Sequence, residues 1–146
     1  MYRIDRERLE RLLDFLSVVA EGCRALAAEA PPADEALRLI RSLAQERLLH
    51  LAAEAVTDIG GILIDGFLMR DAAGYEDIVE VLKGEGVVGE AEAAFWIDLI
   101  RLRRELVRDY ASIVRDGRLH PLVSRLPAEL ESFAADVRAF LRKELG

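Results

Sequence analysis

Five arginines, Arg101, Arg103, Arg104, Arg108 and Arg115, form the densest basic run of the chain. A guanidinium is planar, stays charged at any working pH and offers five donors in a fork that matches phosphate. At about 100° per residue, Arg101, Arg104, Arg108 and Arg115 share one helical face, and Arg103 and Tyr110 share another. The run reads either as a local phosphate-binding site or as a set of ion pairs to an acidic helix. A second polar group, Arg47, His50, Glu54, Asp58 and Asp65, projects within about 80° on one helix. Such a stripe on an otherwise apolar helix can line a cleft or a dimer seam. His50 and Glu54, four apart, could begin a metal site, but no His-Glu-x-x-His motif accompanies them. The stripe is therefore read as a solvated or ion-paired face, and no metal is expected.

Other chemistries lack their residues. The sequence has no Ser-His-Asp or Cys-His arrangement, no phosphate loop, no zinc spacing and no dinucleotide fingerprint, so no cofactor is expected. His120, before Pro121, reads as a surface residue at a helix start, and Tyr75 as a packing residue at another.

The elements that position these residues are all helices. Leu9, Leu12, Leu13, Leu16, Val19, Cys23 and Leu26 recur at three- and four-residue steps, predicting a helix from about Asp5, its cap, to Ala30, before Pro31-Pro32. A long second helix is expected from Asp34 to about Met69, with Leu37, Ile40 and Leu43 among its apolar residues. It carries Gly60-Gly61, read as a place where another backbone comes close. Arg70–Gly74 reads as a loop, and Tyr75–Lys83 as a short helix. A fourth helix is expected from about Glu90 to Val114, packing through Phe95, Trp96, Leu99, Leu102, Leu106, Tyr110 and Ile113. The last, about Leu119–Leu145, contains Pro127, which should kink or divide it. The expectation is an all-α, up-down bundle of four long helices plus one short helix, forming one domain over residues 1–146.

Composition agrees. The chain has 146 residues, 52% hydrophobic and 32% charged, with 10 Gly and 4 Pro, enough apolar content for a core and too few turn residues for an all-β fold. The net charge of −7 argues against tight non-specific gripping of nucleic acid, though not against a local basic site. The single cysteine, Cys23, precludes an internal disulfide and is read as a small buried hydrophobe. The charged N-terminus is unlike a signal peptide, and no apolar run reaches the roughly 18 residues that suggest a span. A cytoplasmic location is expected, without membrane association.

Three stretches carry a resemblance to a known family: Glu46-Arg47 through Glu54 to Asp58-Ile59-Gly60; Asp65-Gly66-Phe67-Leu68-Met69-Arg70-Asp71 into Gly74-Tyr75-Glu76-Asp77-Ile78; and Leu102-Arg103-Arg104-Glu105-Leu106-Val107-Arg108-Asp109-Tyr110. Over about Tyr2 to Leu145 the chain resembles the HepT-like family. The resemblance implies an all-helical homodimer, a ribonuclease toxin paired with a small nucleotidyltransferase antitoxin, and a motif of Arg, four to six residues, His, one residue, Tyr. The motif tyrosine in that family can be modified with adenylate. Arg103 matches the motif Arg and Tyr110 the motif Tyr, so Tyr110 is the expected modification site. The histidine position falls on Arg108, which places this chain in a subset lacking the motif His. An arginine cannot act as a general base, but can bind phosphate or stabilise developing negative charge.

Two functions remain open. In one, Arg103, Arg108 and Tyr110 act on RNA phosphodiester bonds. In the other, the chain is a non-catalytic helical homodimer that binds a nucleotidyltransferase-type or other protein partner. A helical scaffold whose arginines only make ion pairs is the plainest alternative.

Overall fold

The computed structural model describes residues 2–146 as five helices. Helix α1, Arg6–Ala27, starts where the Asp5 carboxylate accepts the Arg8 backbone N–H at 3.0 Å. Its end falls before Ala30, because the residue ahead of Pro31 is disfavoured in helical conformation. Helix α2, Glu35–Gly66, is capped by Asp34, which accepts from Leu37 N–H at 3.1 Å. Helix α3 spans Tyr75–Gly84, α4 spans Glu90–Arg108 and α5 spans Pro121–Leu145. Four are long and one is short, as the apolar periodicity predicts.

Helix α2 touches all four others, while α1 packs on α5 and α3 lies against α2 and α4. This central place explains its 32-residue length and why its apolar residues do not keep to one face. The buried Thr57 hydroxyl is satisfied within the helix, donating to the Ala53 carbonyl at 2.8 Å. Gly60 lets α3 in: a Cβ there would lie 2.4 Å from Ile78 Cγ2 and 3.3 Å from Leu82 Cδ1. Gly61 faces open space, so only the first glycine of the pair is needed for packing, and it admits side chains of α3 rather than the expected second backbone. The centre of the core is aromatic, with Trp96 edge-on to Phe95 and to Phe133 at ring separations of 5.0 and 5.7 Å. Cys23 is fully buried, and burial pushes its thiol up to about 11.

Two expectations need correction. Helix α4 stops at Arg108 rather than Val114. The chain must leave it to reach α2, where Ser42 Oγ accepts Gly117 N–H (3.0 Å), Arg41 Nε donates to the Gly117 carbonyl (2.8 Å) and Gln45 Oε1 accepts His120 N–H (2.9 Å). Those tethers fix residues 117–120 across α2 and are incompatible with six more residues of helix. Of the kink or division expected at Pro127, the division does not occur: helix α5 runs unbroken through it, since one lost i→i−4 bond is tolerated where Leu126, Leu130 and Phe133 are buried against the core. Of the apolar residues of α2, Leu37, Ile40 and Leu43 are 53%, 59% and 51% exposed, because none of the five described helices covers that face. Among the described residues, no helix is long and apolar enough to cross a membrane.

Candidate functional site

Arg103 lies near the end of α4, with its side chain 22% exposed, turned toward α2. Its Nη2 is 2.6 Å from Glu54 Oε1. Its Cζ sits 4.6 Å from the centroid of the Tyr75 ring, a cation–π distance. The Tyr75 hydroxyl faces the same carboxylate, 3.5 and 3.4 Å from its two oxygens. His50, one turn before Glu54 on α2, places Nε2 3.4 Å from Glu54 Oε1. Its other nitrogen, Nδ1, faces Arg47 Nη1 at 3.4 Å. With Nδ1 accepting from the guanidinium, Nε2 carries the proton toward Glu54.

Glu54 is therefore the hub of a half-buried cluster drawn from three helices. A carboxylate paired with an arginine under partial burial is held far more firmly than an exposed pair. Arg103 Nε is buried with no acceptor, so the guanidinium retains hydrogen-bonding capacity that the protein does not fill. A guanidinium, a tyrosine hydroxyl and an imidazole around one carboxylate can together bind an anion and move a proton.

Tyr75 owes its position to the turn before α3. Arg70 and Asp77 form a bidentate pair at 2.8 and 2.9 Å, and Asp77 also accepts Ala73 N–H at 2.9 Å. The Arg70 hydrogen bonds, followed by that from Ala73, hold the Asp77 carboxyl down at about 2. The result is a fixed hairpin from α2 into α3 that delivers Tyr75 to Arg103. One residue on, Glu76 pairs with Arg104 and, at 3.5 Å, with Arg101.

The sequence stripe is thus only partly gathered. Arg47, His50 and Glu54 meet; Asp58 and Asp65 are exposed and take no part in the cluster. Ion pairing of the arginine run is also divided. Arg103 does pair with α2, whereas Arg101 and Arg104 pair with α3. Among the described residues no third His, Cys, Asp or Glu joins His50 and Glu54 in a metal-like group.

Arg108 and Tyr110 are not brought to Arg103. Arg108, the last residue of α4, points about 140° away from Arg103 around the helix. Tyr110 lies beyond the helix end and is 79% exposed, which corrects its assignment to the packing face. Arg108 instead borders a groove of about 720 Å³ between α2, the end of α4 and residues 109–120. Leu49, Leu102, Leu106 and Ile113 form its apolar floor, with Glu46 and His120 at its edge. Burial pushes the Glu46 carboxyl up. His120 uses Nδ1 to cap α5, accepting Leu122 N–H at 3.1 Å.

Sequence reasoning missed Tyr75 and Glu76 as partners of the arginine run. Only the fold of α3 onto α4 brings them together, and no periodic signal encodes that.

A family model described as HepT-like, "Ribonuclease HepT-like", matches residues 6–137. A candidate RNase of Bacillus subtilis (strain 168), YutE, is 35% identical over 146 residues, covering 100% of this chain and 96% of that protein. The solved structure of YutE, described as a cytosolic protein of unknown function, superposes with a TM-score of 0.82 at 33% identity, covering 100% of this chain and 96% of that one. A crystal structure of a toxin–antitoxin with AMP-PNP shares the fold, with a TM-score of 0.75 at 14% identity over 90% of this chain and 97% of that one.

Proposed function

Since the chain belongs to the HepT-like ribonuclease family, we propose that it cleaves RNA phosphodiester bonds at the Arg103–Glu54 cluster. One observation carries this reading. The residue matching the family's motif arginine is not spread on the surface but is fixed by Glu54 and Tyr75 at 2.6 and 4.6 Å. Arg103 would bind the scissile phosphate and offset the charge that gathers on its oxygens as the bond breaks. Arg108, which points about 140° away around α4, would hold a phosphate only where the strand wraps past the end of that helix, and Tyr110 would stack on a base there. The substrate reaches a local basic site on an acidic protein, so binding weakens as salt is raised. As with YutE, described as cytosolic, the location is the cytoplasm.

The protein acts as a homodimer through Leu37, Ile40 and Leu43, an exposed apolar row on α2. Three large apolar side chains exposed side by side on one helix are a feature expected of an interaction face.

Purified protein incubated with a labelled RNA and with DNA of the same sequence tests the reading. RNA should be cut and DNA left intact, and Arg103→Ala should lose at least about 100-fold in rate. Intact RNA under all conditions would remove the proposal.

A second reading has its own observation. Tyr110 is 79% exposed on an irregular segment, well placed for covalent adenylation by a nucleotidyltransferase partner of the kind found in toxin–antitoxin pairs. In that reading the chain is a binding partner, and Tyr110→Phe abolishes a mass increase of one adenylate without changing the fold.

A further inference from the structure

Arg108 stands where the family motif has its imidazole, yet the cluster is not without one. His50 comes from α2, on the opposite side of the site. Its Nε2 and the Arg103 Nη2 rest on the same Glu54 oxygen, Oε1, at 3.4 and 2.6 Å. The two nitrogens are therefore separated by no more than the sum of those distances, and the ring's second nitrogen, Nδ1, is turned the other way, toward Arg47.

Its surroundings are those of a working base. Glu54 Oε1 stands at ion-pair distance from Nε2, 3.4 Å, which favours the tautomer that carries its proton there. Nδ1 is left as the acceptor, touched only by Arg47 at a long 3.4 Å. Arg47 is exposed, so its guanidinium is open to a phosphate. The His50 side chain is 33% exposed, so a nucleotide can reach it. The chain's other imidazole, His120, has Nδ1 committed to the α5 cap and borders the separate groove.

We propose that His50 is the general base of the reaction, acting at Nδ1 while Glu54 orients its ring through Nε2. This rests on the ribonuclease reading above. Nδ1 takes the proton of the ribose 2′-hydroxyl, and the 2′-oxygen forms a bond to phosphorus. The bond from phosphorus to the 5′-oxygen breaks, and its electron pair leaves with that oxygen, which takes a proton from water. The products are a 2′,3′-cyclic phosphate and a 5′-hydroxyl. The proton on Nδ1 passes to the hydroxide left by that water, so no other reactant is needed. Arg103 holds the phosphate throughout.

The experiment is single-turnover cleavage of an RNA oligonucleotide by wild type, His50→Gln and His50→Ala, across about pH 5 to 9, with melting curves for each protein. A general base is worth about 100- to 10,000-fold. The expected result is a loss of that size in both variants, a flattened acidic limb of the pH profile in His50→Gln, and partial rescue of His50→Ala by added imidazole. A His50→Gln variant that cuts within a few-fold of wild type, with an unchanged profile, overturns the role of His50 and leaves the ribonuclease reading standing. Loss of activity without imidazole rescue and with an unaltered pH profile in His50→Gln also overturns it, making His50 structural. A wild type that cuts no RNA overturns both.

Discussion

Arg103 and His50 meet on one atom: Nη2 of the first and Nε2 of the second share Oε1 of Glu54, at 2.6 and 3.4 Å. A single carboxylate therefore sets the position of both a phosphate-binding group and a proton acceptor. Its removal should be felt twice, in stability and in chemistry. Replacing Glu54 with Gln keeps the shape but leaves Arg103 without its counter-charge. The expected cost is about 1–3 kcal/mol for a charge-assisted bond, read as a drop of roughly 3–10 °C in Tm for a chain of this size. Cleavage should fall more than the melting change explains. An unchanged Tm would mean that the pair contributes nothing to the folded state.

The glycine pair in α2 makes a sharp contrast. Gly60→Ala puts a methyl 2.4 Å from Ile78 Cγ2, so α3 must shift; overpacking of this kind costs about 1–3 kcal/mol. Because α3 carries Tyr75, activity should drop as well. Gly61→Ala meets nothing within 4 Å and should stabilise the helix by up to about 1 kcal/mol. Chemical denaturation of both variants checks the pair, and equal effects would contradict the packing described.

A carboxyl pair between α4 and α5 sets a pH dependence remote from the site. Glu92 is raised to about 7, mainly by a hydrogen bond to Asp136, then by burial and by the Asp136 charge. Asp136 Oδ2 is buried with no donor from the rest of the chain, so a shared proton is what can bridge the two. A folded-state value above the unfolded one, 4.5, means the folded protein binds the extra proton. The contribution is fully present below about 4.5 and is lost as the pH rises through about 7. Melting of wild type should therefore decline from pH 5 to pH 8 relative to Glu92→Gln, which lacks this titration. Parallel curves would contradict the shared proton.

The exposed row on α2 predicts assembly. Light scattering should give about twice the 16.3 kDa chain mass, and Ile40→Glu, at a position already 59% exposed, should yield a folded monomer. A wild-type monomer would remove the dimer, and an Ile40→Glu dimer would place its interface elsewhere.

Helix number, type and caps are legible in the sequence because each is a local property. Asp5 and Asp34 announce their helices through one side-chain acceptor apiece. The end of α4 is not legible, because Leu106, Tyr110 and Ile113 continue the apolar period through Arg108. What stops the helix is a long-range demand, the tethering of Gly117 and His120 to Ser42 and Gln45. The site is half legible for the same reason. His50 and Glu54 are visible as helical neighbours and Arg103 as a motif residue. Their meeting with Tyr75 depends on how α3 docks at Gly60. Leu37, Ile40 and Leu43 show a periodicity that reports an apolar face, but not whether this chain covers it.

The central claim is that the chemistry sits at Arg103 rather than at the end of α4. The direct measurement is the cleavage rate of one RNA by wild type, Arg103→Ala, Arg108→Ala and Tyr110→Phe at matched folded fraction. The account predicts a loss of at least about 100-fold for Arg103→Ala and less than about 10-fold for each of the other two, with the Arg108→Ala defect shrinking as salt is raised. Full activity in Arg103→Ala, with loss in Arg108→Ala or Tyr110→Phe, would contradict it.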